Sequence, residues 1–125
     1  MIAKALVLIV GLADVLSGAA LLLARRWFFD NIGNFPPYSP HFLGDAGAFL
    51  LPVGIGLVIA ARDPARFRSV VLIGTGASVL HFLNHLYGSV TAGESWIESV
   101  LLLIQAVAMV YVSVAVRGVT LKKTK

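Results

Sequence analysis

Four long apolar runs, at residues 2–24, 42–61, 70–87 and 96–116, organise this chain, with short polar stretches between them. Each run is close to the roughly 20 residues an α-helix needs to cross about 30 Å of hydrocarbon. A helix on the surface of a soluble bundle turns a broad polar face to water. Here apolar residues run nearly all round each segment, and the few polar ones fall on one narrow stripe. The pattern predicts an all-α fold: a four-transmembrane-helix bundle forming a single domain over residues 1–125. Short connections make neighbouring helices antiparallel.

The stripes carry most of the polar chemistry. The first segment reads Gly11, Asp14, Gly18, Leu21, Arg25, and the second reads His41, Asp45, Ala48, Pro52. The third reads Gly74, Ser78, His81, His85, Gly88, and the fourth reads Glu98, Leu102, Gln105, Met109. One polar stripe on each otherwise apolar helix predicts that the stripes converge on the bundle axis. Glycines and serines spread through the first three segments suit close helix packing, which is what holds helices together in lipid.

The connections read differently. Residues 25–40 are too polar and too rich in proline to be helical throughout. Trp27, Phe28, Phe29, Phe35 and Tyr38 suit either an aromatic belt at the headgroup level or a lid over the mouth of the bundle. Around Asp63-Pro64 the chain reads as a helix stop followed by a fresh start. Ser95 is placed to cap the fourth helix, with Glu98 as its capping-box partner.

Charge sets the expected orientation. With the N-terminus cytoplasmic, Lys4, Arg62, Arg66, Arg68, Arg117, Lys122, Lys123 and Lys125 lie inside, and only Arg25 and Arg26 lie outside. That asymmetry follows the positive-inside rule and predicts a multi-pass plasma (inner) membrane protein with both termini cytoplasmic. The net charge of +4 therefore anchors the chain to the bilayer rather than to nucleic acid, for which no recognition module is visible. The absence of cysteine excludes disulfides, thiol redox pairs and thiolate metal sites.

All three histidines fall in two look-alike pentapeptides, His41-Phe-Leu-Gly-Asp45 and His81-Phe-Leu-Asn-His85. Residues four apart share a helix face, so each pentapeptide sets two polar side chains together. His81, His85 and Asp45 form a two-histidine, one-carboxylate set suited to a divalent metal, with His41 or Glu98 next. Haem is less well served, because two histidines on one face cannot clamp opposite sides of an iron. A pocket opening outward is expected from His41, Asp45, His81, His85, Glu98 and Gln105. Asp14 and Asn84 are further buried polar candidates without an assigned role, and Ser17, Gln105 or a backbone carbonyl lies within reach of Asp14. Pro52 leaves the Ala48 carbonyl without its helical donor.

The run Pro40-His-Phe-Leu-Gly-Asp-Ala-Gly-Ala-Phe, followed by a glycine-rich helix and then His81-Phe-Leu-Asn-His85, resembles a group of small four-helix integral membrane proteins. In overall plan these are similar to the DoxX-like superfamily. The resemblance implies a four-helix membrane fold and assigns no catalytic residue. Some relatives of that plan handle redox partners through cysteines, which this chain lacks. The function expected first is binding of a metal ion or a small apolar ligand in the outward pocket. The alternatives are an accessory subunit of a larger membrane complex or a self-associating one, and a membrane enzyme using histidine as base or metal ligand.

Overall fold

Apolar runs of this length satisfy their backbone only as helices, and that is what they form. The long elements are α1 (Ile2–Leu23), α3 (Pro40–Ala60), α4 (Arg68–Thr91) and α5 (Trp96–Lys123), with a short α2 (Arg25–Asn31) after α1. The computed structural model describes residues 1–33 and 36–123, with side chains through residue 117, and holds no strand among them. Phe35 and the side chains of Lys122, Lys123 and Lys125 lie outside the described residues. Four helices are long and apolar enough to cross a membrane: Ile2–Leu23, Pro40–Ala60, Arg68–Thr91 and Trp96–Arg117.

The ends of the helices refine the sequence reading. The prolines of the first connection begin only at Pro36, so residues 25–31 are free to coil into α2. Ala24 breaks the chain direction between α1 and α2, with φ −133° and ψ 42°. Across one turn of α2, Arg26 Nε donates to Asp30 Oδ2 at 2.8 Å. Phe28 and Phe29 are buried, packing with Leu21 and Leu43, so they hold α2 onto the bundle rather than joining an aromatic belt. Trp27 is exposed.

The second long helix starts two residues earlier than its apolar run. Ser39 caps it by accepting from the Phe42 backbone N–H at 3.3 Å, and Pro40 occupies the first turn, where its missing N–H costs nothing. α4 runs on to Thr91 and closes at Gly93, whose φ of +70° is a left-handed conformation suited to glycine. In this last stretch Thr91 Oγ1 donates to Tyr87 O at 2.7 Å, and the Ser89 and Ser99 hydroxyls pair across the α4–α5 seam at 2.8 Å.

α1 packs chiefly on α3 and α4 on α5; lighter contacts of α3 with α4 and of α1 with α5 complete a ring. Glycines bring α1 and α3 together: Gly11 lies against Leu57 and Val58, Gly18 against Leu51, and Gly54 against Asp14 and Val15. Two apolar clusters fill the interior. One, toward the end where α1 starts, joins Val7, Val10, Leu57, Ala60, Ala61, Val71, Met109, Val112 and Val116. The other, under α2, joins Leu21, Phe28, Phe29 and Leu43. Many large apolar side chains point outward, among them Leu16, Phe49, Ile73, Ile97, Leu101, Ile104 and Val107, as a lipid-facing surface requires.

Candidate functional site

Three of the predicted stripes meet between the apolar clusters. Gln105 of α5 donates from Nε2 to Asp14 Oδ1 of α1 at 3.3 Å, and the same nitrogen lies 3.3 Å from Ser78 Oγ of α4. Ser78 passes its own proton to the Gly74 carbonyl at 2.9 Å. A primary amide carries two N–H donors, so one glutamine serves both acceptors. Asp14 and Ser78 are buried, at 7% and 3% exposure. Of the partners within reach of Asp14, the structure selects Gln105. No lysine or arginine appears among the hydrogen-bond or ion-pair partners of Asp14 in the described residues.

Above this layer, toward α2, the α4–α5 seam continues as a polar row. His81 and His85 stack edge to face with ring centroids 4.9 Å apart. His85 Nδ1 lies 3.4 Å from Glu98 Oε2, within ion-pair reach but not aligned as a hydrogen bond, so this buried nitrogen has no hydrogen-bond partner. Glu98 therefore turns from the start of α5 toward α4. Ser89 and Ser99 join hydroxyls at 2.8 Å. On the other side of the layer, toward the end where α1 starts, Thr75 Oγ1 donates to a carbonyl, with Val71 O at 2.8 Å and Met109 O at 3.1 Å. His85, Glu98 and Gln105 thus share one seam, whereas His81 is exposed on α4 and meets it only through the His85 ring.

The second stripe does not join it. His41 and Asp45 pair with each other along α3, Nε2 to Oδ2 at 3.4 Å, with side chains 92% and 61% exposed. The i,i+4 spacing that suggested a shared face is satisfied within one helix, so Asp45 has no need of the α4 histidines. Among the described residues no group of three or more histidine, aspartate or glutamate side chains is placed to hold a metal ion. His81, His85 and Asp45 are accordingly not a ligand set here. Asn84, expected to be buried, is exposed and makes no hydrogen bond to a described residue. The surface carries open apolar grooves, among them one of about 550 Å³ beside Leu6, Leu103, Ile104 and Tyr111 and one of about 250 Å³ beside Trp96 and Val100.

Arg25, the last member of the first stripe, reaches across the α3 start, its Nη1 donating to Pro40 O at 3.2 Å and its guanidinium lying over Gly44. Ser99 and Thr75 escaped the sequence reading except as helix positions, and Ser89 fell in the expected connection after residue 87. Ser89 does lie one turn beyond His85 and Ser99 beside Glu98, so extending both stripes would have found that pair. No family model, curated protein or solved structure matches this chain.

Proposed function

We propose that this chain is a multi-pass plasma (inner) membrane protein that serves as an accessory subunit, docking a partner's transmembrane helix along α3 and α4. In this reading neighbouring helices are antiparallel, both termini are cytoplasmic, and the α2 end faces outward. The lysine and arginine asymmetry supports that orientation. The order of contacts supports the antiparallel arrangement, since Gly11 meets Leu57 while Gly18 meets Leu51 and Arg25 meets Pro40. The likeness to the DoxX-like plan fits this layout and rests on the two pentapeptides and the Asp-Ala-Gly-Ala-Phe run.

One observation carries the docking role. Asn84 is exposed on α4 without a partner among the described residues, about 10 Å from the helix end at Thr91. Lipid offers no hydrogen bond at that depth, whereas a partner helix does. α4 is also the least covered span: 17% of its most apolar stretch is buried, against 33% for α1. The deep polar groups are already paired within the bundle, which leaves the exposed ones for an outside contact.

Mild solubilisation followed by sizing tests the reading. The wild-type chain is expected to co-elute with a larger membrane partner, and Asn84→Leu to weaken that association by about 1–2 kcal/mol. A lone, stable wild-type monomer contradicts it. A second reading, a metal ion or small ligand held at the α4–α5 seam, draws support from the unpartnered buried Nδ1 of His85 beside Glu98. Elemental analysis of wild type against His81→Ala and His85→Ala decides the metal form of it: stoichiometric metal lost in the variants is the supporting result.

A further inference from the structure

Residues 61–67 join α3 to α4, and their side chains divide between the bundle and its outside. Ala61 and Pro64 are buried, and Ala65 and Phe67 pack on the apolar cluster at the end where α1 starts. Arg62 and Arg66 are exposed. The backbone between them is tied down. Asp63 Oδ1 accepts from the Arg66 N–H at 3.2 Å, the Phe67 N–H donates to Asp63 O at 3.1 Å, and the Arg62 N–H donates to Ile59 O at 3.3 Å. Pro64 fixes its own φ. Arg62, Arg66 and Arg68, the first residue of α4, therefore stand on a fixed turn rather than on a loose loop.

Charge at this turn is one-sided. Asp63 is the only acidic residue in the connection, and one of its oxygens is engaged by a backbone N–H. Among the described residues no ion pair reaches Arg62, Arg66 or Arg68. Lys4 and Arg117, exposed beside Ala3 and Val116 of the same apolar cluster, add to the positive charge at this end. The Arg66 guanidinium lies 5.7 Å from the centroid of the Phe67 ring, a contact that uses the face of the group and leaves its N–H edge open. Arg68 Nε is buried and makes no hydrogen bond to a described residue. A buried guanidinium N–H is costly to leave unpaired, and an anionic oxygen is its strongest acceptor.

The level of the turn identifies the anion. α3 has 21 residues, a length of about 31 Å that matches the hydrocarbon thickness, so the turn that ends it lies among the lipid phosphates. On the helix face below Arg62, Ile59 and Ile55 are exposed and offer a surface to acyl chains. We propose that Arg62, Arg66 and Arg68 bind the phosphate of an anionic phospholipid whose chains lie along α3 past Ile59 and Ile55. The forked donors of a guanidinium match phosphate oxygens two at a time. No acidic side chain is free in the turn to receive a choline or ethanolamine cation beyond the second oxygen of Asp63, against three arginines. The site therefore selects a lipid of net negative charge over a zwitterionic one. The proposal rests on the chain spanning a bilayer. It needs neither the orientation nor the docking role of Asn84, which lies toward the other end of α4.

Native mass spectrometry of the full chain in mild detergent, with dioleoylphosphatidylglycerol added in steps, counts the lipids it holds. One phosphatidylglycerol is expected to bind saturably, and dioleoylphosphatidylcholine to bind at least about tenfold more weakly. Arg62→Gln/Arg66→Gln changes two exposed side chains and is expected to weaken phosphatidylglycerol by about fivefold for each arginine removed. Arg68→Gln alone is expected to weaken it by about fivefold as well. Lys4→Gln/Arg117→Gln removes the same charge from α1 and α5 at the same end, and its effect is expected to stay below about twofold. Equal weakening by the two double variants, or equal affinity for the two lipids, overturns the proposal. Release of the bound lipid by a large excess of inorganic phosphate also overturns it, because the site would then be one for a free anion. Flotation of the wild-type chain with phosphatidylglycerol vesicles at alkaline pH separates the two readings. A chain stripped from the vesicles fails the membrane reading, whereas one that floats without lipid preference fails the site alone.

Discussion

Replacing Gly54 by alanine adds one methyl group where α1 and α3 touch backbone to backbone. That Cβ would lie 2.6 Å from the Val15 nitrogen and 2.9 Å from both Asp14 C and Asp14 Cβ. Ordinary contact begins near 3.4 Å, so the α1 backbone must retreat by about 0.8 Å. The retreat cannot stay local, because Gly11, Gly18 and Gly47 hold the same two helices at comparable range. A gap of 0.5–1 Å forfeits about a quarter to a half of each dispersion contact along the seam. It also draws Asp14 away from Gln105, 3.3 Å distant before the change. Overpacking of this kind costs about 1–3 kcal/mol, and the rigid backbone neighbours put Gly54→Ala at the upper end, about 2–3 kcal/mol. Equilibrium unfolding in mixed micelles, titrated with a denaturing detergent, measures the loss. Gly76→Ala is the matched control, since nothing lies within 4 Å of the added carbon, and its effect is expected within about 0.5 kcal/mol. Equal losses at the two positions, or no loss at Gly54, would refute the close α1–α3 contact.

Three further outcomes follow from individual contacts. A double-mutant cycle on Asp14→Ala and Gln105→Ala, read by the same unfolding assay, is expected to give a coupling of about 0.6 kcal/mol and no more than about 1.7; zero coupling contradicts the bond at 3.3 Å. Ser89→Ala and Ser99→Ala are expected to be non-additive by a similar amount, because either change leaves the other hydroxyl without its partner at 2.8 Å. His41→Ala should alter stability by less than about 0.5 kcal/mol, its pair with Asp45 being 92% and 61% exposed; a loss above about 1 kcal/mol would place that pair inside a packed interface.

Hydrophobic run length made the four spans legible, because satisfying backbone groups in hydrocarbon leaves helices as the simple solution. The convergence of Asp14, Ser78 and Gln105 was legible too, since each is the deep polar position of its stripe. The i,i+4 rule misled at Asp45. Spacing along one helix tells which residues share a face, but not whether that face turns to a neighbour, and Asp45 settled on His41 of its own helix. Asn84 shows the same limit, lying on α4 yet outside the seam that His85 joins. Helix ends were misplaced where polar residues close a helix: Ser39 and Pro40 begin α3, and Ser89 and Thr91 continue α4, although none of these is apolar. α2 was obscured by prolines that in fact follow it.

The docking role of α4 is tested most directly by a photo-reactive amino acid placed at position 84 and activated in native membranes. The account predicts one discrete higher-mass product from position 84. It predicts no such product from Leu101, an exposed apolar position on α5. Attachment to lipid alone at both positions would contradict it.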